Sequence, residues 1–136
     1  MNLTPMNPFH YRRHSVGFSF VEMLSAVAII GLISFLAIPN LVKVRGDSER
    51  NLAIARAESI NMAMATYIQA RGRTQAASDW LGSSTNQAKY ALVSSYLSYA
   101  ETNLTDYLPT GYSITFNTID PLKKVTLQQG TTVIAY

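Results

Sequence analysis

The sequence contains no cysteine, and its only two histidines, His10 and His14, lie close to its beginning. Without cysteine the chain forms no disulfide and offers no thiolate to a metal ion or a substrate. Without histidine after residue 14, most of the chain also lacks the commonest general base and the commonest imidazole ligand. We therefore expect no enzyme: no catalytic residue, no metal site and no cofactor.

Charged residues are also few, at 14% of the chain, and the net charge is +3. Arg12 and Arg13 lie in the first 17 residues, and the remainder holds nine Lys or Arg against eight Asp or Glu. Nucleic-acid binding needs a concentrated basic face, and a nearly neutral remainder does not provide one by its overall charge. The composition therefore argues against nucleic acid as a partner.

A long apolar run is the most prominent feature that is present. It extends from Phe18 to Ile38, and at about 1.5 Å per residue it is long enough to cross the ~30 Å hydrocarbon core of a bilayer. Glu22 is its only charged residue. A lone carboxylate costs ~3 kcal/mol in lipid, so we expect Glu22 to have a partner, and that partner is not in the helix itself.

The residues before this run suggest where that partner comes from. Gly17 is the last small residue before the run, and cleavage after it would give Phe18 a free amine four residues from Glu22. Within one chain the two charges meet only loosely at this spacing. In a bundle of staggered copies, the amine of one chain reaches Glu22 of the next, which makes Glu22 an assembly residue.

The order of these residues resembles the N-terminus of type IV pilins and of type II secretion pseudopilins. Gly17 precedes FSFVEML, Glu22 is fifth after that junction, Gly31 lies within the apolar run, and Pro39 follows it. The resemblance implies cleavage after Gly17 by a prepilin peptidase and N-methylation of Phe18. It also implies that the helices pack into a filament through the segment that contains Glu22, Gly31 and Pro39.

Three regions follow from this resemblance: a cleaved leader at 1–17, a transmembrane and assembly helix at 18–39, and a small head at 40–136. We expect a single-pass inner-membrane protein with a cytoplasmic N-terminus and a periplasmic head, assembled into an envelope filament. Its partners would be the prepilin peptidase, other copies and related pilins, the inner-membrane assembly platform and membrane lipid. The cysteine-free, compact head favours a pseudopilin of a type II secretion system. The alternative is a minor pilin of a DNA-uptake, adhesion or motility pilus that binds nucleic acid.

Within the head, apolar residues recur at helical spacing from Ala53 to Ile68. This pattern predicts an amphipathic helix that begins near Asp47 or Ser48 and ends at Gly72. Pro39 should kink or locally melt the helix before it, because proline donates no backbone hydrogen bond.

The middle of the chain is richer in polar and small residues. Residues 73–86 surround the single Trp80 and read as a loop. Ser84 and Gln87 form a weak capping box for a short helix over residues 86–100. A turn region around Pro109 and Gly111 follows.

The last third alternates between apolar and polar residues, which predicts three antiparallel strands in residues 111–117, 122–128 and 131–136. A turn at Asp120 and Pro121 and a hairpin at Gln129 and Gly130 would connect them. The predicted fold class is α+β and pilin-like. A long N-terminal helix, membrane-spanning in its first half and amphipathic in its second, packs on a small antiparallel sheet.

Other interpretations remain open at this point, although each has a weaker signal. A plain membrane anchor would explain the apolar run but not Gly17, Glu22 and Pro39 together. The remaining candidates are Arg71, Arg73, Lys123 and Lys124 for nucleic acid, Ser94 and Ser95 with Lys89 for catalysis, and Asp106 and Asp120 for calcium. Solvated turns and strand edges account for these residues more simply.

Overall fold

The computed structural model of the chain describes residues 17–136, so the predicted leader, apart from Gly17, lies outside the described residues. Its layout is α+β, with one long helix, three short helices and one small sheet in the described part. The elements in order are α1 Phe20–Arg71, α2 Arg73–Gly82, α3 Asn86–Ser94, α4 Leu104–Tyr107, β1 Tyr112–Thr115, β2 Thr126–Gln129 and β3 Thr132–Ile134.

Helix α1 is continuous over 52 residues and contains both Pro39 and Gly46. The predicted start near Asp47 or Ser48 is therefore wrong, and of the two outcomes expected of Pro39, a kink or local melting, the melting does not occur. Proline removes a single backbone hydrogen bond and an internal glycine costs only ~1 kcal/mol, so helical neighbours on both sides maintain the helix. The predicted end is confirmed: α1 stops at Arg71, and Gly72 follows with a φ of 81°.

The chain divides into two compact units, with the boundary between Leu41 and Val42. In the first unit, every described residue from Gly17 to Leu41 is exposed. The second unit, which we call the head, has a hydrophobic core. Helix α1 contributes six residues to that core, at helical spacing: Ala53, Ala57, Ile60, Ala63, Met64 and Tyr67.

The predicted antiparallel sheet of three strands is confirmed, with the strand order β1-β2-β3. Ile114 pairs with Leu127, which in turn pairs with Ile134, so one row of three apolar side chains crosses the sheet. All three are buried. The β2–β3 hairpin turns at Gly130, whose φ of 59° is a conformation that glycine adopts without steric cost.

Helix α2 corrects the prediction of a loop over residues 73–86. It buries Ala76 and Trp80, which are four residues apart and therefore lie on one helical face. The Trp80 indole N–H donates a hydrogen bond to the carbonyl of Asn117 at 2.9 Å, and its ring meets Phe116 edge to face at 5.5 Å. Tertiary packing of these two residues outweighs the polar, loop-like composition around them.

Helix α3 has a different cap and a different end from those predicted. Its N-cap is Thr85, whose hydroxyl accepts a hydrogen bond from the backbone N–H of Ala88, and not Ser84. Gln87 does not reach back to the cap. Its side-chain NH₂ donates to the carbonyl of Thr102, and its side-chain oxygen accepts from the backbone N–H of Leu104, the first residue of α4. The helix ends at Ser94 instead of near residue 100, and α4 occupies part of the segment predicted as a turn.

Polar side chains link α1 to the C-terminal strands. The side-chain oxygen Oδ1 of Asn61 accepts a hydrogen bond from the backbone N–H of Val125 at 2.9 Å, and the Tyr136 hydroxyl donates to the backbone carbonyl of Val125 at 2.6 Å. Beside them, the Lys124 ammonium donates to Glu58 at 2.7 Å. This hydrogen bond lowers the pKa of Glu58 and raises that of Lys124. The contacts fix the register of the sheet against α1.

Candidate assembly segment

The predicted cleavage junction, Gly17 and Phe18, lies just before α1. Neither residue is in a helix or a strand, and the Phe18 side chain is 83% exposed. A protease needs an accessible stretch of non-helical backbone, and exposed segments outside regular structure are where cleavage concentrates. Gly17 and Phe18 meet that requirement.

Glu22 has a partner that the sequence argument overlooked. The backbone N–H of Ser19 donates to Glu22 Oε2 at 2.8 Å, and the backbone N–H of Glu22 donates to Ser19 Oγ at 3.4 Å. Ser19 is the residue before α1, so the two side chains form a reciprocal capping box of the S-x-x-E type. The signal was present in the sequence as Ser19 followed three residues later by Glu22.

The expectation that the helix supplies no partner for Glu22 is therefore wrong in one respect. The partner is a backbone donor at the helix N-terminus, where the aligned peptide dipoles also favour a negative charge. Only Oε2 takes part, and within residues 17–136 the other oxygen, Oε1, accepts no hydrogen bond. The carboxylate can therefore cap its own helix and still accept a hydrogen bond from a neighbouring molecule.

The apolar surface of the first unit is uncovered. One 18-residue window of α1 has a mean hydropathy of 2.4, and none of it is buried, so this helix is long and apolar enough to cross a membrane. Large exposed side chains there include Phe20, Leu24, Ile30, Leu32, Phe35 and Leu36. Water is a poor environment for so large an apolar surface, which indicates burial in lipid or against other helices.

Gly31 and Pro39, the other predicted assembly residues, both lie inside this segment of α1. A Cβ atom built at Gly31 would meet nothing within 4 Å, so the glycine leaves an open shallow site on the helix surface. Small residues at such positions allow another helix to approach closely. All three residues lie along α1, and the structure does not bring Glu22, Gly31 and Pro39 together into one compact site.

Three hydroxyl groups along α1 are satisfied within the helix. The hydroxyls of Ser25, Ser59 and Thr66 each donate to the carbonyl of the residue four positions earlier, at 2.8, 2.9 and 3.0 Å. A hydroxyl bonded in this way needs no partner from outside the helix. These polar side chains are therefore compatible with an apolar environment.

The candidates for nucleic-acid binding do not form a patch of free cations. Three of the four form salt bridges: Arg71 with Asp79 at 3.1 Å, Arg73 with Asp120 at 3.7 Å, and Lys124 with Glu58 at 2.7 Å. Lys123 makes no salt bridge with any residue in 17–136. Lys123 and Lys124 also lie outside the strand that was predicted to contain them, because β2 begins at Thr126 and not at residue 122.

Asp79 is the centre of a polar cluster in the head. It accepts hydrogen bonds from the Tyr67 hydroxyl at 2.8 Å, from Gln75 at 2.7 Å and from Arg71 at 3.1 Å. The hydrogen bond from Tyr67 is the main reason that the pKa of Asp79 is lowered, while burial chiefly raises the pKa of Tyr67. Tyr67 and Arg71 belong to α1, whereas Gln75 and Asp79 belong to α2, so the cluster ties the two helices together.

The catalytic and calcium candidates occupy structural positions. The Ser94 hydroxyl donates to the carbonyl of Ala91, and the Lys89 ammonium lies 5.5 Å from the centre of the Trp80 ring. Asp106 accepts from the side chain of Asn103 at 2.8 Å. Across residues 17–136, no three His, Asp or Glu side chains are grouped closely enough to hold a metal ion.

Comparison of the whole chain with protein-family models, with curated proteins and with solved structures finds no match in any of the three.

Proposed function

We propose that this chain is a structural subunit of a type IV pilus-like filament, and specifically a pseudopilin of a type II secretion system. A prepilin peptidase cuts the precursor after Gly17, and the new amine of Phe18 is N-methylated. The subunit rests in the inner membrane with its head in the periplasm. The assembly platform then adds it to other copies and related pilins.

One observation carries the proposal: the first unit is an unburied apolar helix whose only charged residue is Glu22, placed at its first turn. A plain membrane anchor would explain the apolar surface. It would not explain a carboxylate, because glutamine at this position also closes a capping box without the ~3 kcal/mol insertion cost of a charge. A cation that arrives during assembly explains why the residue is Glu and not Gln.

The geometry of the capping box supports the same interpretation. Ser19 occupies only Oε2 of Glu22 and leaves Oε1 without a partner among the described residues. The residue whose amine would be freed by cleavage, Phe18, is next to Ser19 and exposed. The amine and the open oxygen of each copy therefore lie near the same end of α1, where staggered neighbours can pair them.

The alternative, a minor pilin that binds nucleic acid in a DNA-uptake, adhesion or motility pilus, has less support. Binding of phosphates depends on several free cations, and three of the four candidate residues are already paired with carboxylates. We therefore rank the secretion pseudopilin first.

Mass spectrometry of the protein extracted from membranes tests the proposal. In cells that contain a prepilin peptidase, the N-terminal residue should be Phe18 carrying a methyl group on its amine. A Gly17→Val variant should keep its leader, because the peptidase would meet a branched side chain at the scissile position. Gly46→Ala is the matched control, since a Cβ there meets nothing within 4 Å, and it should be processed normally. An intact leader in the unaltered protein would refute the proposal.

A further inference from the structure

A groove on the head, formed by α2, the start of α3 and the loop after β1, has no role in the proposed filament. We call it the basic groove; it has a volume of about 480 Å³, and its lining includes Trp80, Leu81, Lys89, Thr118 and Lys123. This volume falls within the ~300–1,000 Å³ range of ligand pockets in proteins. It lies entirely in the head and does not involve the apolar segment.

The charges in the basic groove are all of one sign. Lys89 and Lys123 both line it, no Asp or Glu does, and neither lysine forms a salt bridge within residues 17–136. Every other Lys or Arg from residue 51 onward contacts a carboxylate or, in the case of Arg56, a backbone carbonyl. Among the residues from 51 onward, the groove therefore holds the uncompensated positive charge, which favours an anionic occupant.

An apolar cleft of about 110 Å³ adjoins the basic groove and shares Trp80, Leu81 and Thr118 with it. Leu81 lines both, and its side chain is 86% exposed, more than any other large hydrophobic side chain described. Asp120 also lines the cleft, but Arg73 compensates its charge at 3.7 Å. The surface thus offers an apolar contact directly beside two free ammonium groups.

We infer that the basic groove and its apolar cleft bind an acidic segment of a partner protein, in which an apolar side chain is next to one or more carboxylates. The carboxylates would pair with Lys89 and Lys123, and the apolar side chain would pack on Leu81. Single-stranded nucleic acid fits less well, because it binds largely by stacking bases on aromatic rings. Trp80 and Phe116, the two aromatic residues of the groove, are only 4% exposed each and offer no ring face.

Trp80 makes the inference measurable in the full-length protein. It is the only tryptophan of the chain, and the Lys89 ammonium lies 5.5 Å from its ring, so its fluorescence reports on this groove alone. The protein, purified in a non-ionic detergent, is titrated with a hexapeptide of alternating Glu and Leu. The comparison probes are a hexapeptide of alternating Gln and Leu, a hexaglutamate peptide and oligo-dT.

The expected result is saturable change in Trp80 fluorescence with the Glu-Leu peptide, weakened by salt, and much weaker binding of the three comparison probes. Lys89→Gln and Lys123→Gln should each weaken binding about two- to fivefold, as expected for exposed ion pairs. Leu81→Ser should weaken it without affecting folding, because the side chain is outside the core. The control Lys43→Gln removes one positive charge from α1, far from Lys89 and Lys123 in the sequence, and should leave the affinity for the Glu-Leu peptide unchanged.

Several results would overturn the inference. Equal binding of the Gln-Leu peptide would mean that the lysines are not used, and equal binding of hexaglutamate would mean that the apolar cleft is not used. Preferential binding of oligo-dT would make the groove a nucleic-acid site. The absence of saturation up to about 1 mM would mean that there is no site. None of these outcomes bears on cleavage after Gly17, so this inference and the proposed function fail independently.

Discussion

The two possible roles of Glu22, capping its own helix and pairing with a neighbouring amine, can be separated by comparing Glu22→Gln with Glu22→Leu. Glutamine retains a side-chain oxygen that accepts the Ser19 N–H, so the capping box survives and only the charge is lost. Leucine removes both. Ser19→Ala, in turn, removes the hydroxyl half of the box and leaves the charge in place.

The expected magnitudes differ enough to be measured. Loss of a helix cap costs ~1 kcal/mol, and the Ser19 half is the weaker of the two because its hydrogen bond is 3.4 Å long. Loss of the charge leaves the amine of a neighbouring Phe18 buried without a counterion, which costs ~3–5 kcal/mol at each contact. Glu22→Gln should therefore reduce assembly nearly as much as Glu22→Leu, and Ser19→Ala should reduce it only slightly.

Membrane fractionation and filament yield under overexpression form the assay, with the yield normalised to the amount of subunit that begins at Phe18. Both Glu22 variants should insert into the membrane as well as the unaltered protein or better, because each removes a charge that costs ~3 kcal/mol in lipid. The refuting result is a normal filament yield from Glu22→Gln together with a loss from Glu22→Leu no larger than the loss of a helix cap explains. Glu22 would then be a helix cap and nothing more.

Two further predictions concern the head, and unfolding of the full-length protein in detergent checks both. Asn61→Ala should lower the free energy of unfolding by ~1–3 kcal/mol, because it leaves the backbone N–H of Val125 unpaired. Asn51→Ala, at an exposed site of the same helix, should not lower it. Equal effects of the two variants would refute the role of Asn61. The pKa of Asp79 is lowered in the folded protein, so its carboxylate contributes stability that is present above the ordinary pKa of 3.8 and is lost as pH falls through the folded pKa. Asp79→Asn should therefore make the free energy of unfolding depend less on pH in acid, whereas the control Asp47→Asn should not. An unchanged acid dependence in Asp79→Asn would contradict the assignment.

The parts of the head that follow a repeating pattern were predictable. The apolar positions of α1 recur every three or four residues, and the end at Gly72 follows from the ease with which glycine adopts a positive φ. The strands alternate, and the buried row through Leu127 follows from that alternation. In each case, one local rule acts over many residues and its effect accumulates.

Helix α2 was missed because its signal is short. Only Ala76 and Trp80 mark its buried face, and polar residues typical of loops surround them. The decisive contacts, with Phe116 and the carbonyl of Asn117, come from more than 30 residues away in the sequence, as the 37-residue separation of Trp80 and Asn117 shows. A local pattern does not contain that information.

The candidate assembly segment shows the same division. The apolar run and the place of Glu22 in it were evident from the sequence. The capping box was also predictable, because Ser19 is followed three residues later by Glu22. The basic groove could not have been predicted. Lys89 and Lys123 are 34 positions apart, and only the packing of the start of α3 against the loop after β1 brings them to one surface.

The hydroxyls of Ser25, Ser59 and Thr66, each bonded to its own helix, bear on how readily α1 could change its surroundings. When a helix leaves lipid or water for contact with another protein, unsatisfied polar groups usually create a barrier, because their solvent must be removed before new partners are found. The hydroxyl bonds of Ser25, Ser59 and Thr66 do not have to break in either direction. In the filament proposed above, these three side chains would therefore add no desolvation barrier when α1 exchanges one neighbour for another.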